Sequence, residues 1–324
     1  MLQDFSFKSP ESIFKGLTHN PDAHMHMDHG MDHSDMSDMN MDMANDEMNS
    51  HDMSHMDLND VKYDAYLTNY HSPDKPQIQT VMAGKSVRLR FINGASSSNF
   101  WLNLGKLHGK IIAVDGQDVI PYSANKFPLA MGQRVDVVVN IPANGGTYPI
   151  IGQVEGLTNQ TGLILTTHPT KNLTIAEDAA HPAPAVNNQL DMQLAPLHPV
   201  QGLSSKMKNL TLTLNGDMSQ YTWTLNNQTW PHIKPLVVNK NETVNLTFDN
   251  QSMMSHPMHL HGYVFKVVSI DGKPTHGIIR DTVMVLPHSK VTVQFVADMQ
   301  GKWMLHCHNA YHMSAGMMTY LQVK

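Results

Sequence analysis

Short runs in which apolar and polar residues alternate constrain this chain more than any other feature. In VRLRFIN, Val87, Leu89 and Phe91 fall on one face of an extended segment, and Arg88 and Arg90 on the other. The pattern recurs in VDVVVNIP from 135, in NLTLTLNG with Leu210, Leu212 and Leu214, in TVNLTFDN with Val244, Leu246 and Phe248, and in VTVQFVAD with Val291, Val293 and Phe295. Turn-forming pairs such as Asp115-Gly116 and Asn144-Gly145 punctuate the runs, and no βαβ alternation accompanies them. A period of two buries one face of a sheet, so the pattern predicts sandwiches. With 324 residues the chain is long enough for two cores. We therefore expect an all-β fold of two antiparallel sandwiches with little helix, over 58–170 and 207–324. The intervening 171–206, with its EDAAHPAPAVNNQ, reads as a linker.

Net charge is -6, but residues 22–57 hold ten Asp or Glu and no Lys or Arg, which leaves 22 basic against 18 acidic residues elsewhere. The acidity is local, and no Lys/Arg cluster marks a nucleic-acid surface. That same tract, residues 22–57, carries ten methionines and six histidines without a sustained period, and is expected to be a flexible loop. No apolar run approaches the roughly 20 residues that span a bilayer, and the opening MLQDFSFKSPESIFKG lacks the cationic and apolar regions of a signal peptide. Seven N-x-S/T sites are read as Asn and Thr on the solvent faces of strands.

The chain has one cysteine, in HCHNAYHMSAGMM. Successive strand side chains point to opposite faces, so His306 and His308 project together and Cys307 projects away from them. If Cys307 binds a metal, His312 and Met317 lie in the loop that follows, where a tight return brings both back to the thiolate. In SHPMHLHGY, His259 and His261 share a face, and His256 is free to complete the Cys307 group. Cysteine, two histidines and a weak methionine form the ligand set of a blue-copper electron-transfer centre. His259, His261, His306 and His308 then point at a second metal cluster. Alone, a buried cysteine is an inert small hydrophobe and a buried histidine a satisfied polar residue. Eight such ligands at strand-compatible spacing argue against that. Zinc is a rival, disfavoured by the thioether and by more histidines than four-coordination needs. His71, His108, His181, His198, His232, His276 and His288 are isolated and read as solvated.

At these two motifs the chain resembles the multicopper oxidases. HPMHLHG and HCHNAYHMSAGM look like the last two of that family's four copper-binding motifs. The resemblance implies that His256, Cys307, His312 and axial Met317 hold the type 1 copper, His259 the type 2 copper, and His261, His306 and His308 the type 3 pair. The stretches DVKYDAYLTN, VRLRFINGASSSNFWLNLG and FPLAMGQRVDVVV extend the likeness to bacterial three-domain laccase-like and copper-tolerance oxidases across most of 58–324. It implies two cupredoxin-like Greek-key sandwiches, a copper-dependent oxidoreductase with dioxygen as acceptor, a donor that is Cu(I) or a small phenolic compound, and a periplasmic setting.

One departure from the family stands out. The first two motifs, each an H-x-H pair in a preceding domain, are absent, and residues 58–168 contain none. The one other H-x-H, His24-Met25-His26, lies in the acidic tract with no strand around it. LQDFSF looks like the closing strand of a preceding cupredoxin domain, with residues 1–21 its remnant. A truncated gene model, a split gene or an excised segment would each account for that, as would a partner carrying the front domain. In the tract, thioethers suit Cu(I) and imidazole and carboxylate suit Cu(II), so copper gathering is expected there. A rival reading makes the whole chain a copper store that works through this tract without turnover.

Overall fold

The computed structural model describes residues 1–19, 58–168, 172–204 and 207–324. The tract expected to gather copper, 22–57, therefore lies outside the described residues, as does His24-Met25-His26.

Two β-sandwiches account for most of the described chain. In the first, a five-stranded sheet runs in the order Gln77–Thr80, Gln160–Thr166, Thr147–Val154, Phe100–Asn103, Lys126–Leu129. Its companion is a four-stranded sheet ordered Ser86–Ile92, Arg134–Asn140, Gly109–Val114, Gln117–Ala124. Alternation does its expected work here. Leu89 and Phe91 are buried opposite Val137 and Val135, while Arg88 and Arg90 point outward toward Asp136.

In the second sandwich, Glu242–Asn250 pairs antiparallel with Lys290–Ala297, which sets Val244 against Phe295, Leu246 against Val293 and Phe248 against Val291, all buried. The facing sheet runs Leu236–Val238, Met318–Val323, Gly301–Cys307, His256–Leu260, Thr282–Val285. Its two central strands carry the sequence motifs.

The sandwiches are not purely antiparallel. Gln77–Thr80 runs parallel to Gln160–Thr166, Met207–Asp217 to Glu242–Asn250, and Leu236–Val238 to Met318–Val323. Hydrophobic alternation chooses the face a strand buries and is silent on the direction of its neighbour. Leu2–Phe5, read above as the end of a preceding domain, pairs antiparallel with Ala65–Thr68, buries Leu2 and offers the Asp4 carboxylate to the Ser96 and Ser97 amides. A helix, Pro10–His19, follows.

The segment read as a linker is packed along the first sandwich. Ala183 pairs with Glu155, Pro196 with Val119, and Ile175, Val186, Leu190 and Leu194 are buried. It helps to join the sandwiches through Arg280, only 1% exposed, which lies between Asp115 of the first sandwich at 3.1 Å and Asp191 of this segment at 2.7 Å. Beside it, Arg134 grips Asp281 through two bonds of 2.7 and 2.6 Å, and the Gln133 side chain donates to the Thr282 carbonyl. These contacts fix the first sandwich against the edge strand that borders His256–Leu260.

Candidate metal centre

Strand register decides which side chains meet. Met258 sits opposite Cys307, and His259 opposite His306. Cross-strand partners share a face, so the neighbouring pairs fall on opposite sides of the sheet.

On the inner side, His256, Cys307 and His312 come together with no solvent exposure. The two Nδ1 atoms lie 3.1 Å apart, and Cys307 Sγ is 3.8 Å from His256 Nδ1 and 3.7 Å from His312 Nδ1. Each separation is shorter than the roughly 4.0–4.4 Å that two bonds to a shared metal can span, with nitrogen at about 2.0–2.1 Å and sulfur at about 2.3 Å. Two imidazole nitrogens and a sulfur thus face one another in a dry pocket, a set that would hold a cation. The donor set fits copper.

A main-chain device makes the return. Asn309 caps the short helix Ala310–Ser314, its side chain accepting from the Tyr311 and His312 amides. Beyond the helix, Met317 N–H donates to the His312 carbonyl at 3.0 Å, and Cys307 N–H donates to the Met317 carbonyl at 3.1 Å. His312 and Met317, five and ten residues past the cysteine, are thereby drawn back to it, and Met317 is fully buried. Gly316, at φ 122°, makes the bend, where a side chain would strike Thr229 and the Trp223 carbonyl. Trp223 lies over the His312 ring at 3.9 Å and against the His256 ring at 5.1 Å.

The outer nitrogens have different partners. His256 Nε2 is 2.7 Å from Ser252 Oγ, which itself donates to Asn250 Oδ1. His312 Nε2 is 3.0 Å from Asp60 Oδ2, at an angle too bent for a straight hydrogen bond. Burial, with His312 as a second contribution, holds His256 well below the ordinary histidine range, so it is neutral and able to ligate at pH 7. Burial also pushes the Cys307 thiol up, and Asp60 adds to it. A bound metal ion reverses that preference, because a coordinating thiol is deprotonated.

On the other side, four imidazoles cluster. His261 Nε2 and His306 Nε2 are 3.0 Å apart, and the ring of His259 lies 5.0 Å from His261, 5.6 Å from His306 and 5.8 Å from His308. His306 Nδ1 donates to the Cys307 carbonyl at 2.8 Å, and His259 Nδ1 to the Asp281 carbonyl at 2.9 Å, which leaves their Nε2 atoms for ligation. Burial, reinforced by the neighbouring histidines, pushes His306 down to about 4 and lowers His259 and His308. The cluster is open on one side, and His261 is exposed. The structure thus brings together the residues expected to cooperate, in two groups. The seven histidines read as solvated are all exposed.

Four contributors carried no sequence signal: Asp60, Ser252, Asp281 and Gly132. Gly132, at φ 78°, lies so close to His308 that a Cβ would sit 2.4 Å from its ring. A glycine between Met131 and Gln133 reads as an ordinary turn. Only the approach of the first sandwich to the second makes it a floor for His308.

Residues 203–324 match a family model described as multicopper oxidase, and residues 30–174 match a second of the same description. The multicopper oxidase MmcO of Mycobacterium tuberculosis is 34% identical over 268 residues, which is 82% of this chain and 52% of MmcO. Copper resistance protein A of Escherichia coli is 24% identical over 361 residues, covering 80% of this chain and 59% of that protein. The chain thus spans between half and three-fifths of the length of these relatives. The structure of Fet3p, titled a multicopper oxidase that functions in iron import, superposes with a TM-score of 0.76 at 16% identity, over 100% of this chain and 65% of that one. That likeness shows the fold, two cupredoxin-like sandwiches. The two models and the identity to MmcO agree with the back-to-back metal-donor groups: the chain belongs to the multicopper oxidase family.

Proposed function

We propose that this chain is the electron-accepting part of a multicopper oxidase, in which His256, Cys307, His312 and Met317 hold a type 1 copper. In the same reading His259, His261, His306 and His308 supply half of a type 2/type 3 cluster, with the remaining histidines coming from outside this chain. Bound copper supplies one-electron redox chemistry: a donor, Cu(I) or a small phenolic compound, is oxidised, and dioxygen is reduced to water by four electrons and four protons. The residues of the chain bind, orient and insulate. One observation carries the proposal, the opposite facing of Cys307 and its two neighbours. A ligand of one group is covalently continuous with ligands of the other, and the His306 Nδ1 bond to the Cys307 carbonyl shortens that link further.

The donor, a role in copper tolerance and a periplasmic setting rest on the family resemblance and on the copper resistance proteins among the relatives. Among the described residues no helix is long and apolar enough to cross a membrane. The domain division carried forward is a front remnant over 1–21, a middle sandwich over 58–170 without copper motifs, and a C-terminal sandwich over 207–324 that bears the centre.

Adding copper to the purified chain tests the proposal. It should produce the intense visible thiolate-to-copper absorption without rapid oxygen uptake. Absence of the band rejects the type 1 assignment, and rapid uptake by the isolated chain rejects the half-cluster. The storage reading is favoured by the ten methionines and six histidines of 24–57. Two variants separate the readings: loss of most bound copper with the colour intact on deleting that tract favours storage, whereas loss of colour with donor oxidation abolished in Cys307→Ser favours the oxidase.

A further inference from the structure

The geometry points to Asp60 as a positioning residue for His312, a buried carboxylate set against the outer nitrogen of the imidazole that biases the facing metal toward its more oxidised state. This rests on the type 1 reading of the His256, Cys307 and His312 group.

His312 turns Nδ1 toward Cys307 Sγ and His256 Nδ1. With Nδ1 committed to a metal, the ring proton resides on Nε2. That nitrogen is buried, and Asp60 Oδ2 lies 3.0 Å from it, an ion-pair contact too bent for a straight hydrogen bond. Both side chains are fully shielded from solvent. The carboxylate is itself held in place, because Asn309 Nδ2 donates to the same oxygen at 2.6 Å while Asn309 Oδ1 caps the helix that carries His312. One asparagine therefore sets both members of the contact. Asp60 comes from the start of the middle sandwich, 249 positions from Asn309, so the centre receives a charge from outside its own sandwich.

The companion histidine differs. His256 Nε2 meets the neutral hydroxyl of Ser252. A carboxylate on the far nitrogen of a ligating imidazole raises the basicity of the near one. A negative charge one ring away, in a low-dielectric pocket, also stabilises Cu(II) more than Cu(I). The His312 side of the centre is therefore the electron-rich side, and Asp60 is the cause.

The test is Asp60→Asn in the full chain, loaded with copper, read by competition titration for affinity and by redox titration for potential. The visible thiolate band should persist while Cu(II) affinity falls by about 10–100-fold. The potential should rise by about 59 mV for each tenfold loss of Cu(II) over Cu(I) affinity. Asp60→Glu, which keeps the charge, should recover part of both changes. An affinity within about twofold of the parent and a potential within about 18 mV of it overturn the inference while leaving the type 1 reading intact, whereas a parent chain without the band removes both. If Asp60→Asn does not fold, the Cu(I)-loaded parent decides by nitrogen-15 NMR. A His312 Nε2 proton that is downfield and slow to exchange supports the contact, and one that exchanges freely overturns it.

Discussion

The two donor groups occupy opposite sides of one pair of strands, yet they are built differently. His256, Cys307, His312 and Met317 are wholly buried, closed by a hairpin return of the chain and roofed by Trp223. The four remaining histidines have an open side, and the middle sandwich steadies them through Gly132 and the Arg134–Asp281 pair. Under the proposed function, the first group would exchange single electrons, which calls for rigid, dry ligands and little access, and the second would meet dioxygen, which calls for an approach and more ligands than one strand pair offers. The difference teaches that one pair of strands, distant in sequence, can insulate one group and expose the other simply by alternating its faces.

Removing the shared link is the largest expected break. Cys307→Ser should abolish the visible thiolate band entirely, while the four-histidine side retains weak metal binding measurable by titration. If the band survives, the sulfur is not a ligand.

Next in size is the joint between sandwiches. Arg280→Met leaves Asp191 without its cation and Asp115 with Arg134 alone at 3.7 Å, and should cost about 3–5 kcal/mol in denaturant unfolding. A loss below about 1 kcal/mol would mean the joint is not held by this charge.

Glu155 sharpens the comparison by pH. It lies buried in the middle sandwich, accepting from Asn99 Nδ2 and the Val186 amide, and burial pushes its carboxyl up to about 7 against an ordinary 4.5. Because the folded state holds the proton more tightly, stability is fully present below about 4.5 and declines as pH rises through about 7. The loss is on the order of 3 kcal/mol at most. Glu155→Gln should flatten that slope in urea titrations at a series of pH values, without altering the colour of the copper-loaded chain.

The smallest effect separates the two groups most cleanly. Gly132→Ala adds a methyl against His308 at a positive φ, and should cost about 1–3 kcal/mol. The four-histidine side should lose affinity while the thiolate band keeps its position. A shift of the band would show that the two sides are mechanically coupled.

Much of this was legible along the chain. Alternation placed Leu246 and Val293 in one core and set Cys307 against His306 and His308, because strand geometry is local. The spacing from Cys307 to His312 and Met317 also announced a return, although the capped helix at Ala310–Ser314 that makes it was not foreseen. The packing of 172–204 was missed because its Pro and Ala content resembles a linker, while its burial depends on a sandwich formed earlier in the chain. Asp60, Ser252 and Gly132 sit in ordinary surroundings in the sequence, and nothing near them announces a metal.

The sequence by itself determined the strand faces, the donor types and the division of donors between two sides, since each follows from a period of two and from the chemistry of sulfur and imidazole. Only the tertiary structure decided which carboxylate stands behind His312, which glycine underlies His308 and how Arg280 ties the sandwiches. Those contacts join residues far apart in the chain, and their existence depends on how two finished cores pack against each other.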